Sequence, residues 1–90
     1  MYSYAYNLRI GDRFATWIEG VETSVKVEEI RFQHKGKDEA YTPRQFLRIH
    51  VSYDYYGGDA WAEGEEATTY LEYGKHDLVV LQERNGRRFL

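Results

Sequence analysis

Three histidines, fifteen acids, three serines and fifteen aromatic rings are the groups in this 90-residue chain from which a site could be built. The histidines are His34, His50 and His76, and no two stand at the i, i+2 or i, i+4 spacing that brings metal ligands together on one strand face or helix face. His50 and Asp54 share a strand face, but one imidazole with one solvated carboxylate falls short of a metal site, so no metal is expected. Glu63, Glu65 and Glu66 supply carboxylates for acid–base work. They sit in a glycine-bearing stretch suited to solubilising the chain or steering a basic partner rather than to holding a catalytic pair. Ser3, Ser24 and Ser52 lack the Gly-x-Ser-x-Gly context of a nucleophile elbow. Neither a phosphate-cradling lysine loop nor a G-x-G-x-x-G turn is present. The absence of cysteine excludes thiol nucleophiles, disulfide scaffolds, cysteine zinc fingers and iron–sulfur sites. Neither an enzyme nor a cofactor is expected.

What remains is aromatic and cationic. Nine tyrosines, four phenylalanines and two tryptophans make up 17% of the chain, more than a core of this size consumes. Many will pack edge-on with their hydroxyls in water. The surplus, with eight arginines against four lysines, suits a contact surface, because Tyr, Trp and Arg dominate binding hot spots. Trp17 and Arg48 are the leading candidates: each alternates out of phase with an aliphatic set, Phe14-Thr16-Ile18 for Trp17 and Leu47-Ile49-Val51 for Arg48. Trp61, beside the Gly57-Gly58 turn, has little local core to fill, and Tyr53 and Tyr55 complete the candidate set. Lys26, Arg9, Arg48 and His50 on polar strand faces leave a second reading, stacking and phosphate contacts to a nucleic acid or nucleotide.

These side chains must be positioned by strands. Alternation of apolar and polar residues runs through 2–10, 13–19, 46–55 and 67–73. In residues 25–33 the apolar parity slips from Val25 and Val27 to Ile30 and Phe32, and one extra residue at Glu28-Glu29, a β-bulge, restores a single apolar face. Residues 19–24 read as a loop, and Thr42-Pro43 as the start of one helical turn near 42–46. Residues 78–81 are apolar on both faces, as in an interior strand, and Asn85-Gly86 marks a hairpin leading to a short closing strand. The expected fold is one domain over 1–90, mainly β, with five to seven short strands in a curved antiparallel sheet or partly open barrel and a radius of gyration near 12 Å. The expected core is Tyr4, Leu8, Ile10, Phe14, Ile18, Val27, Ile30, Leu47, Ile49, Val51, Leu71, Val80 and Leu81.

LRIGDRF at residues 8–14, followed after a loop by VKVEEI at 25–30, resembles the opening of SH3-like barrels of the KOW and Tudor kind, where a strand ends in Gly-Asp and the chain then enters a diverging hairpin. The likeness covers about a third of the chain and implies a small barrel. In character (short, cysteine-free, richer in arginine than lysine) the chain is similar to small proteins of tailed phages, which implies a host protein as partner and the host cytoplasm as location. The net charge of −3 disfavours bulk attraction to nucleic acid or anionic lipid, and no apolar run is long enough to span a membrane. The expectation is therefore a cytoplasmic, non-enzymatic module that binds a protein, and one that self-associates, because a small sheet has edges to hide and the Tyr2-Tyr4-Tyr6 strand offers one of them.

Overall fold

A computed structural model describes residues 1–35, 44–55 and 65–89 of the chain. They form seven antiparallel strands: β1 (Tyr2–Tyr4), β2 (Arg13–Ile18), β3 (Val21–Lys35), β4 (Arg44–Tyr55), β5 (Glu65–Gly74), β6 (Leu78–Arg84) and β7 (Arg87–Arg88), with one 3₁₀ turn at Ala5–Asn7. The sheet order is β1-β6-β2-β3-β4-β5, and β7 pairs with β6. It does not close into a barrel, since β1 and β5 remain at opposite ends of that order. The radius of gyration is 14.6 Å, above the ~12 Å of a compact chain of this length. Among the described residues no helix is long and apolar enough to cross a membrane.

The parity slip in β3 is a bulge. Val27 pairs with Val51 and Glu29 with His50, which leaves Glu28 as the extra residue and puts Ile30 opposite Ile49 on the same face as Val27. Glu28 is held there by the Ser52 hydroxyl, which donates to its carboxylate at 2.7 Å. A second bulge lies in β6: Arg13 pairs with Glu83 and Phe14 with Leu81, so Gln82 is the extra residue. Bulges add twist and bend, and here the sheet curls until its inner face meets itself. Tyr73 of β5 packs edge-on against Phe14 of β2, ring centroids 6.0 Å apart, and its hydroxyl shares a 2.7 Å hydrogen bond with Thr16. In a flat sheet three strand spacings, about 14 Å, would separate those strands. Inside the curl lie Phe14, Val25, Val27, Leu47, Ile49, Val51, Val79 and Leu81, with Ala5 and Leu8 from the N-terminal segment, all buried.

Several expectations are corrected. The alternation over 2–10 breaks after Tyr4, because its partner Leu78 is the first residue of β6 and the chain beyond has no strand to pair with. The 3₁₀ turn, anchored by the Ala5 N–H on the Asp77 carbonyl at 2.8 Å, rotates Ala5 and Leu8 inward and leaves Ile10 70% exposed. Tyr4 and Val80 lie on the outer face, not in the core; Val25 and Val79 take core places, and Ile18, Ile30 and Leu71 pack at its margin. Residues 19–24 are not a loop. Glu19 and Gly20, with φ of 51° and 80°, form a two-residue turn, and β3 begins at Val21. Residues 44–46 belong to β4 rather than to a helical turn, and Thr42-Pro43 lie outside the described residues.

Candidate functional site

The outer face of the sheet carries two distinct groups of side chains. The first spans β1, β6 and β2. Tyr2 pairs with Val80 and Tyr4 with Leu78, while on the other side of β6 Ala15 pairs with Val80. Trp17 lies two residues beyond Ala15 on the same face of β2, past the last pair between β2 and β6. Tyr2 is 75% exposed, Trp17 68% and Leu78 61%, with Tyr4 and Val80 also exposed. Tyr6 extends the group: its ring stacks on Tyr4 at 5.6 Å, and His76 meets both rings edge-on. Six large apolar side chains, Tyr2, Tyr4, Tyr6, Trp17, Leu78 and Val80, are therefore exposed in one region of the sheet, where isolated ones are the norm. Glu22, paired with Trp17, and Glu19 in the adjoining turn give this patch an acidic end.

The local sequence explains the arrangement. Leu78-Val79-Val80-Leu81 is apolar at every position, so one pair faces the curl and the other faces out. No helix among the described residues lies over the outer pair. The patch also sits on a firm base. Asp12, 1% exposed, receives the Arg9 N–H at 2.8 Å and two donors of Arg84, Nε at 3.0 Å and Nη2 at 2.8 Å, while Arg84 also reaches the Asn7 carbonyl at 2.9 Å. The hydrogen bond to Asp12 raises the Arg84 pKa further above its ordinary value. This pair ties the N-terminal segment to the end of β6. Beside it an open groove of about 660 Å³ runs under Tyr2, Tyr6 and Leu8, but the arginine at its end is already committed to Asp12.

The second group lies across β3, β4 and β5. Arg31 pairs with Arg48, His50 with Tyr70 and Arg48 with Glu72. The Arg48 guanidinium lies 4.5 Å from the Tyr70 ring centroid, and the His50 ring stacks on Tyr70 at 4.7 Å with 21° between planes. Arg31 is ion-paired with Glu29, which raises its pKa. These rings and charges contact one another, so the group is internally satisfied.

Trp17 and Arg48 both face outward, but they are not neighbours. Trp17 is paired with Glu22 and Arg48 with Arg31, and the nine residues separating those β3 positions span nearly 30 Å along the strand. Tyr53 is half-buried on the inner face, opposite Ala67 and against the core. The backbone of Tyr55 pairs with Glu65 at the end of β4. Trp61 lies outside the described residues, as does most of the acidic stretch 54–66. Leu78 and Val80 were not among the sequence candidates for a contact surface, and Tyr2 and Tyr4 were expected in self-association rather than in docking. Their signal was a strand apolar on both faces, in a fold whose described residues form no second layer over one of them. No cluster of three or more metal-ligating side chains occurs among the described residues. No protein-family model, curated protein or solved structure matches the chain.

Proposed function

We propose that this domain is a non-enzymatic docking module whose outer face at β1, β6 and β2 binds another protein, with Trp17 at the centre of the contact. The observation that carries this reading is the adjoining exposure of Trp17, Leu78 and Tyr2 on strands fixed by the core beneath. Each would bury apolar area on contact, worth about 25 cal/mol per Å² removed from water. The partner's chemistry at the Trp17 end follows from the rim there, while at the Tyr6 end Lys75 lies 5.8 Å from the ring centroid. Glu19 and Glu22 beside an exposed indole favour an apolar surface carrying lysine or arginine, which can pair with the carboxylates and lie over the ring.

The nucleic-acid reading would use the Arg48-His50-Tyr70 group. Tyr70 already engages the Arg48 guanidinium and the His50 ring, and Arg31 already engages Glu29, which disfavours this group as a stacking and phosphate-binding surface. The test is parallel capture from the native cell with the wild-type chain, Trp17→Ala and Ile10→Ala, the last removing an exposed aliphatic outside the patch. A protein retained by wild type and Ile10→Ala but lost with Trp17→Ala supports the reading. Retention by all three, with loss only in Arg48→Ala and with steep salt dependence, would move the site to the other group and to a nucleic acid.

A further inference from the structure

We infer that the β5 edge is a homodimerisation site, where two copies of the chain pair antiparallel about a two-fold axis at Tyr70 and extend the sheet from one molecule into the next. The two ends of the sheet differ in kind. β1 is three residues long, and β7 occupies the other end of the same side of β6, so that edge is short and broken. β5 is ten residues long, and its ten consecutive pairs with β4 contain no register shift. Among the described residues no strand pairs with its other side. Proteins block such edges with a proline, a bulge, a lysine or an inward-pointing charge. Over residues 66–74 β5 has none of these: the inner positions there are Ala67, Thr69, Leu71 and Tyr73, and the two charges, Glu66 and Glu72, fall on the outer face.

The charge pattern decides between the two face-preserving registers that overlap most of β5, those centred on Thr69 and on Tyr70. Side chains directly opposite in an antiparallel pair share a face, so two copies of β5 can meet only in registers that keep inner residues with inner ones. Centring the axis on Thr69 sets Glu66 against Glu72 twice, which is repulsive. Centring it on Tyr70 removes that clash. Glu66 then faces Gly74, Thr68 faces Glu72, Ala67 faces Tyr73 and Thr69 faces Leu71, while Tyr70 meets its own copy. Aromatic and β-branched pairs of this kind are the ones that stabilise adjacent strands. A self-pairing edge at β5 replaces the expected one at the N-terminal tyrosines, whose side chains belong to the outer-face patch.

The chain has no cysteine, so single introduced thiols report the register directly. Opposed residues have Cβ atoms about 4.5–5.5 Å apart, within reach of a short thiol cross-link. Tyr70→Cys should therefore cross-link into dimers. Thr68→Cys should not, because its two copies lie four positions apart, about 13 Å along the strand. Sedimentation of the full chain should show a dimer at ~100 μM, the range in which standard interfaces hold. Thr68→Glu, at an exposed position, should weaken it by about 5- to 30-fold through two Glu–Glu contacts with Glu72 of the other copy, and Thr68→Lys should strengthen it. A wild-type monomer at that concentration overturns the inference, as does equal cross-linking of the two cysteine variants. A dimer that ignores Thr68→Glu but dissociates in Trp17→Asp also overturns it, and would give the self-contact to the docking patch instead.

Discussion

Asp12 is one of two buried polar side chains among the described residues, with Ser52. A carboxylate out of water is tolerable only when its lone pairs are met, and here Arg84 and the Arg9 N–H meet them. Asp12→Ala should cost about 3 kcal/mol in urea unfolding, because it leaves a half-buried guanidinium and an unmet amide. Arg88→Ala, exposed in the same hairpin, should stay within about 0.5 kcal/mol. Equal effects would mean that the pair does not anchor the N-terminal segment. Tyr73 provides a second test. Burial raises its hydroxyl above the ordinary tyrosine pKa, the bond to Thr16 opposes this, and the Asp77 charge adds to the rise. The folded state therefore favours the neutral phenol. Its contribution is complete below the unfolded value of about 10 and is lost as pH rises through the higher folded value. Tyr73→Phe should lower stability by about 0.5–1.5 kcal/mol at neutral pH through the lost bond to Thr16 and should flatten the alkaline fall. An alkaline limb identical to wild type would contradict this placement of Tyr73.

At the scale of elements, two turns of the same form show what a sequence discloses. Asn85-Gly86 and Glu19-Gly20 both place two successive residues at positive φ. That geometry matches the twist of hairpin strands, and Gly20 and Gly86 adopt it without penalty. Asparagine is also suited to it, so the second hairpin was legible. Glutamate is not, so the first was read as a loop and β3 lost its first four residues. Glu19→Asn should therefore raise stability by up to about 1 kcal/mol, read from the thermal midpoint. A decrease would mean that the Glu19 side chain makes a stabilising contact of its own. The Glu28 bulge was legible for a different reason: an inward strand face cannot change parity without an added residue, and Val27 and Ile30 sit on opposite parities. The Gln82 bulge left no such trace, because β6 is apolar on both faces before the slip and charged at Glu83 and Arg84 after it, so no apolar parity changes across it.

Over the whole molecule, alternation and the parity slip at Glu28 disclosed a curved antiparallel sheet, because β2, β3, β4 and β6 each turn buried apolar side chains to one face. They did not disclose which two-faced strand stays uncovered, since that depends on what lies above Leu78 and Val80, and only the assembled fold answers it. The split between Trp17 and Arg48 was hidden for the same reason. Parity assigns a face but not a position along a strand as long as β3. The curl also explains how so small a chain can present an apolar surface: the core is built by the sheet bending onto its own inner face, and among the described residues no second layer covers the outer one. The docking claim is tested most directly by measuring the thermal midpoint together with affinity for the captured protein in Trp17→Ala and Leu78→Ser. Unchanged midpoints in both variants and an affinity loss of at least ~2 kcal/mol, about thirtyfold, for Trp17→Ala are expected. Lowered midpoints with unchanged affinity would contradict it, and would make these side chains part of the packing rather than of the contact.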